Sequence, residues 1–302
     1  MRKILSACVA LLLAVSASAQ LTFLVDYTQD SNNFFNTQAK KDAFQAAANY
    51  VTGFISPTAL AVITSGGSNH YTAIISNPGT GGTTNFADTS VAANTIRVYA
   101  GGRDLTGIGS GVLAVAGPAG FSVTNTQPFL DTVLFRGNGT FRMTSVGSVS
   151  FSTTFSFAFD TDFTTKESFP GQADFFSVAV HELGHVLGIG TNASWDALAS
   201  VTHTFLGAAS AAASGGVAPS LTSDDGHWAS GTSSTVFGTA TVQDTSLSPT
   251  ISFDQRKFYT RLDVAGLRDI GFTAVPEPAD YALVFGAAGL AWCGYRRRRR
   301  AV

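Results

Sequence analysis

Residues 174–187 of the chain read DFFSVAVHELGHVL. Apolar side chains fill most positions, Asp174 is a candidate N-cap, and Gly188 follows the last apolar residue, so the stretch predicts a buried helix. His181 and His185 are four residues apart and therefore lie on one face of this helix, about one turn from each other. Two imidazoles placed in this way reach a single tetrahedral Zn²⁺. The stretch thus predicts a central helix that carries two metal ligands.

Glu182 lies between the two histidines and projects about 100° around the helix axis from His181. That direction is too far away for the carboxylate to ligate with them, but it faces the open coordination position. We therefore expect Glu182 to be the general base that takes a proton from a zinc-activated water and passes it to the leaving amine. The pattern predicts an endopeptidase that hydrolyses peptide bonds in protein or peptide substrates.

A catalytic zinc needs a third protein ligand, and the sequence leaves several candidates. Between Glu182 and Glu277 there is no glutamate, which excludes a downstream glutamate ligand. His203, His227 and several aspartates remain. The two cysteines of the chain, Cys8 and Cys293, both lie outside residues 20–274, so no thiolate from that range binds the metal.

Local sequence favours His227 over His203 as that ligand. His203 belongs to residues 200–205, an alternating run that reads as a strand or the edge of one. His227 follows a long loop of small residues and lies in the segment DDGHW (224–228), where Gly226 permits a tight turn that aims the imidazole. The local sequence therefore favours His227 as the third ligand beside His181 and His185, and leaves His203 and the aspartates as alternatives.

The rest of the chain combines helices and strands. Residues 21–27 alternate like a strand, and residues 39–54 carry apolar side chains at helical spacing. Residues 60–157 read mostly as strands and glycine-rich turns, with 95–99 and 148–159 the clearest strands. A late helix is predicted around 262–270. This order predicts an α+β domain.

The composition of both ends of the chain predicts targeting segments. Residues 1–19 have a basic start, an apolar run and a small-residue cleavage site, which predicts a signal peptide. The tail, 275–302, has Pro276, Glu277 and Pro278, an apolar stretch and then five arginines. Because the basic residues concentrate in these ends, the intervening domain 20–274 is acidic, and a nucleic-acid partner is not expected.

The tail resembles the PEP-CTERM sorting signal of Gram-negative bacteria. The resemblance implies recognition by exosortase-type sorting machinery, membrane association through the C-terminal segment before processing, and a final place in the cell envelope, at the cell surface or in the extracellular matrix. An ordinary tail anchor is the alternative interpretation of the same residues.

Several segments together resemble the leishmanolysin-like branch of metzincin peptidases. They are HELGHVLGIGT (181–191) with Trp195, DGHW (225–228), VFG (236–238), LDVAGLRDIGF (262–272) and, upstream, VYAGGRDL (98–105). That branch breaks its metal motif with an insertion and takes the last histidine from a Gly-His-Trp segment, which here implies His227. The resemblance also implies a mixed twisted sheet above the active-site helix and an irregular C-terminal subdomain below the cleft.

One feature of metzincins is missing from the sequence. These enzymes place a methionine turn beneath the zinc, but no methionine follows His185. Gln243 is the position where we expect the residue that replaces this methionine.

Two other functions are compatible with the same candidate site residues: a non-catalytic metal-binding surface or matrix protein, and a zinc amidase that acts on cell-wall peptides. Retention of Glu182 favours an enzyme over the non-catalytic protein.

Overall fold

The computed structural model of the protein describes residues 20–56, 59–124, 126–137, 139–165, 167–276 and 292. The signal peptide predicted at residues 1–19 lies outside the described residues, as does all but three residues of the tail, 275–302. Within the described ranges, none of the helices has both the length and the apolar character that a membrane crossing requires.

The described elements alternate between strands and helices. The helices are α1 (Gln38–Thr52), α2 (Gln127–Leu134), α3 (Phe175–Leu187), α4 (Ala193–Asp196), α5 (Ala208–Ala213) and α6 (Arg261–Asp269). The strands are β1 (Thr22–Asp26), β2 (His70–Ser76), β3 (Thr83–Phe86), β4 (Thr95–Arg103), β5 (Ala114–Pro118), β6 (Gly120–Thr124), β7 (Val146–Ser152), β8 (Phe157–Ala158), β9 (Ala173–Asp174), β10 (Ser233–Thr235) and β11 (Val242–Asp244).

The largest sheet is mixed and has the strand order β1-β4-β7-β5. Strands β1, β4 and β7 run parallel, whereas β5 pairs antiparallel with β7 and forms one edge of the sheet. All seven residues of β7 are buried, as expected for a central strand covered on both faces. A second sheet, β3-β2-β6, is antiparallel, and two short ladders join β8 with β9 and β10 with β11.

Helices α1 and α3 pack against each other and against the main sheet. Their shared core is rich in phenylalanine: Phe34 stacks on Phe151 with ring centroids 5.4 Å apart, and Phe151 packs against Phe175 at 4.8 Å. Gly102 allows this packing, because a Cβ at that position would lie 2.6 Å from the Phe34 ring. The core therefore fixes α3 against the sheet.

The predicted combination of helices and strands is confirmed, with several sheets in place of one. The predicted helices at 39–54, 174–187 and 262–270 correspond to α1, α3 and α6 within two residues at each end. Helix α2 lies in a region that we read mostly as strands and turns; Pro128 in its first turn is a helix-start signal.

The strand prediction for residues 200–205 is wrong. The segment is a tight loop in which the Ser200 N–H donates to the Thr204 carbonyl at 2.9 Å, and it makes only isolated bridges. His203 has a φ of +55°, which reverses the chain and prevents an extended strand despite the alternating pattern.

Candidate metal centre

Helix α3 presents two histidines to a cleft, and a distant loop supplies a third. The Nε2 atom of His185 lies 3.0 Å from Nε2 of His181 and 3.2 Å from Nε2 of His227. Within the part of the chain that the structure describes, these three form the one group of histidine, cysteine or acidic side chains placed to hold a metal ion.

The second nitrogen of each helix histidine determines what its Nε2 atom can do. The Nδ1–H of His181 donates to the Ser246 carbonyl at 2.7 Å, and the Nδ1–H of His185 donates to the Ile189 carbonyl at 2.8 Å. A neutral imidazole carries one N–H, so in both rings Nε2 must be the bare lone-pair nitrogen. The short distance between these two Nε2 atoms is therefore not a hydrogen bond. Two lone pairs facing each other are stable only with a cation between them.

The surroundings keep these imidazoles neutral. Burial, followed by the neighbouring histidines, lowers the pKa of His181 well below its ordinary value. Burial and His227 lower the pKa of His185 to about 4, and burial lowers the pKa of His227 against an opposing effect of Asp224. Neutral histidines offer their lone pairs near pH 7 without first losing a proton, as metal binding requires.

These residues fit a zinc ion. Four-coordinate zinc binds imidazole nitrogen at about 2.0–2.1 Å, which separates two ligand nitrogens by about 3.3 Å in tetrahedral geometry. The observed separations of 3.0 and 3.2 Å are close to that value. Carbonyl oxygens that accept from the outer ring nitrogens are the usual orienting partners of zinc histidines. Three protein ligands leave a fourth position for water or substrate.

Glu182 lies in the wall of the same cleft. Its side chain is buried, and its Oε2 atom has no hydrogen-bond partner. Burial raises the pKa of Glu182 to about 8, because no neighbouring donor replaces the lost water. A buried carboxyl oxygen without a partner is costly, so the presence of Glu182 beside the three histidines points to a chemical task.

Two glycines bring the third histidine to the helix. Gly190 has a φ of +69°, and a Cβ on it would lie 1.9 Å from the carbonyl oxygen of Gly226. The segment after α3 therefore touches the 224–228 turn backbone to backbone, which only glycine at position 190 allows. Thr191 stands where a contiguous metal motif would place its third histidine, and its hydroxyl donates to the His185 carbonyl at 2.6 Å. The third imidazole comes instead from His227.

The competing candidate, His203, lies outside the cluster. Its Nδ1 atom is 2.9 Å from Oδ1 of Asp225, and its side chain is 45% exposed. Asp225 belongs to the same turn as His227, so His203 contacts the loop that carries the third imidazole without facing the other two. The structure thus brings together the three predicted metal ligands and Glu182.

A loop that we did not single out forms the floor of the site. The Ser246 carbonyl binds His181, and the fully buried Leu247 side chain packs below Gly184, where an added Cβ would meet it at 3.0 Å. The prediction that Gln243 takes the place of the metzincin methionine beneath the metal site is wrong. Gln243 lies in β11 and donates to the Phe258 carbonyl at 2.7 Å. The apolar residue beneath the ligand helix is Leu247.

A buried aspartate connects this floor to the third histidine. Asp263 accepts hydrogen bonds from the backbone of Ser246 at 2.9 Å and of Leu247 at 3.2 Å, and from the Trp228 indole at 3.1 Å. It also closes the capping box at the start of α6 with Thr260. Asp263 therefore fixes both the carbonyl that orients His181 and the residue that follows His227. The only sequence signal for this role of Asp263 is the capping-box pattern that it forms with Thr260.

The cleft is a cavity of about 820 Å³. Its lining includes the edge strand β5 with the preceding residues 110–113, and the α3 face that carries His181, Glu182 and His185. Residues 248–251 and Lys257 line a further part of the wall. The backbone of an edge strand has unpaired N–H and C=O groups, so this wall is able to pair with an extended chain.

Comparison with known families agrees with this site. Residues 131–211 match the matrixin family model. The match covers α3 with His181 and His185, and it ends before His227. It supports a metzincin-type zinc metallopeptidase, a hydrolase that acts on peptides. Neither the curated proteins nor the solved structures contain a match to this chain.

Proposed function

We propose that the protein is an exported zinc endopeptidase in which His181, His185 and His227 hold the metal and Glu182 is the general base. The observation that carries the proposal is the convergence of three neutral imidazoles beside a buried carboxyl group whose Oε2 atom has no hydrogen-bond partner. When bound, zinc supplies Lewis-acid stabilisation of the developing oxyanion and lowers the pKa of water.

The chain's own residues perform the remaining steps. The free edge of β5 binds the substrate backbone in an extended conformation across the cleft. With a cation held by the three histidines, the pKa of Glu182 would lie below the value of about 8 that burial alone produces. The ionised carboxylate then accepts a proton from the water that attacks the scissile carbonyl and gives it to the leaving amine. The carbonyls of Ser246 and Ile189 keep the two helix imidazoles in the tautomer that binds metal.

The site also supports the leishmanolysin-like branch as the finer assignment. His227 follows His185 by 42 residues, with the Gly190–Gly226 contact closing the intervening loop. An interrupted motif of this kind matches the resemblance drawn from the Gly-His-Trp segment. Of the two alternative functions, a non-catalytic protein has no use for a buried, unpaired Glu182, and the matrixin match does not favour a cell-wall amidase.

Removal of zinc tests the proposed function. Chelation of the purified protein should abolish peptide hydrolysis, and added Zn²⁺ should restore it. Because the metal binds only the folded state, zinc at about 1,000 times its dissociation constant should also stabilise the protein by about 4 kcal/mol, measured as a rise in Tm. Hydrolysis that survives complete chelation would exclude the proposed mechanism.

We further propose that the chain is exported and sorted through the PEP-CTERM-like tail. The support is the sequence of residues 1–19 and 275–302. In the native host, mature protein at the surface should lack Arg296 to Arg300, because processing near Pro276–Pro278 removes the basic cluster. Mass spectrometry of the released protein measures this directly. A mature chain that still ends at Val302 would favour an ordinary tail anchor.

A further inference from the structure

Lys257 is a buried cation in the wall of the cleft. The residue is 2% exposed and lines the cavity together with Ser177, Thr250 and His181. Its backbone N–H donates to the Ser177 hydroxyl at 2.7 Å, and Ser177 lies on α3 four residues before His181. One helical turn is about 5.4 Å, so Lys257 adjoins the wall of the cleft next to the proposed metal ligands.

The ammonium group of Lys257 has only neutral partners. It donates to the Thr250 carbonyl at 2.8 Å and to the Thr245 carbonyl at 3.4 Å. Among the described residues, no carboxylate lies within 4.0 Å of it. Burial is the largest influence on the Lys257 pKa and lowers it, while Asp244 and Asp263 act in the opposite direction from a distance.

Two buried arginines show how this protein accommodates buried cations: Arg136 donates to backbone carbonyls, whereas Arg256 pairs with carboxylates. The Arg256 guanidinium binds Asp174 at 2.8 Å and Asp160 at 3.0 Å. Lys257 resembles Arg136 in having only carbonyl partners, but unlike Arg136 it lines the cavity. Its ammonium group is therefore placed to pair with a carboxylate that enters the cavity.

We propose that Lys257 gives the peptidase a preference for substrates with Asp or Glu beside the scissile bond. This assignment rests on the proposed function, because the scissile bond is defined by the three histidines and Glu182. A substrate carboxylate would provide the charged acceptor that the two carbonyls do not, and a charge-assisted hydrogen bond in a buried site is stronger than a neutral one. An aliphatic or basic side chain would leave the ammonium group unpaired.

The alternative is that Lys257 only ties the 245–250 segment to α3 through its two carbonyl contacts. That role predicts a loss of stability on mutation but no particular substrate preference. The preference of the wild-type protein therefore separates the two explanations before any variant is made.

The test uses the zinc-loaded protein and peptides that differ at one residue on either side of the cleaved bond. Wild type should cleave peptides with Asp or Glu there about 10- to 100-fold better, in kcat/KM, than peptides with Leu or Lys. Lys257→Met should remove this advantage, so that the ratio of kcat/KM between the Asp or Glu peptides and the Leu peptides falls to about one. Lys257→Arg should keep a substantial part of the preference.

Lys41→Met is the matched control, because it removes the same charge from α1, away from the cavity wall. It should cleave every peptide as wild type does. Wild type that cleaves the panel without an acidic preference, or Lys257→Met that keeps the preference, would overturn the assignment. Wild type that cleaves no peptide at all would instead overturn the proposed function.

Discussion

Glu182→Gln should bind zinc and fold like wild type but lose peptide hydrolysis by about 10²- to 10⁴-fold in kcat. Glutamine has nearly the same shape as glutamate and cannot accept the proton of the attacking water. The three histidines and the carbonyls that orient two of them remain in place. Activity should therefore fall without loss of metal, which single-turnover kinetics and metal analysis of the same sample measure.

The folding stability of metal-free Glu182→Gln, compared with that of metal-free wild type, provides the control for an intact fold. Burial raises the pKa of Glu182 from 4.5 to about 8. A raised carboxyl pKa means that wild type loses stability as the pH rises through this range, because the buried group must ionise. Glu182→Gln has no such group, so above pH 8 it should be at least as stable as wild type. Turnover like that of wild type in this variant would refute the general-base role.

His227→Ala should weaken zinc binding by more than about 100-fold and abolish activity, whereas His203→Ala should leave both nearly unchanged. The reason is geometric: Nε2 of His227 lies 3.2 Å from Nε2 of His185, while His203 is engaged with Asp225. Loss of even a supporting partner of a metal ligand costs about 10- to 100-fold in affinity, and loss of the ligand itself should cost more.

The two variants are matched, because each removes one imidazole from a loop. His227 lies in the turn that contains Asp225, and His203 contacts that turn through Asp225. Competition with a zinc-binding dye measures the affinity, and circular dichroism verifies the fold. If His203→Ala lost the metal and His227→Ala kept it, the third ligand would be His203 and the helix pair would still stand. If both variants kept the metal, His227 would not be a ligand.

Local sequence carried enough information for the elements that depend on local interactions. Helix α3 was predictable because its apolar run, its Asp174 cap and its Gly188 end all lie within fifteen residues. Strands β4 and β7 were predictable in part, because alternating and apolar runs mark residues 95–99 and the start of 148–159 as extended. Helix α2 and the loop at 200–205 were misread, because a proline start and a single residue with positive φ outweigh the pattern of side chains around them.

By itself, the sequence determined the chemistry of the helix: two histidines four residues apart and a glutamate between them, whose relative directions follow from helical geometry. It narrowed the third ligand to a few candidates and favoured His227. Tertiary structure decided what lies beyond one helical turn, because contacts between distant segments leave no periodic signal in the chain. The Gly190–Gly226 contact, Leu247 beneath the helix, the Asp263 hydrogen bonds and Lys257 in the cavity wall all depend on such contacts.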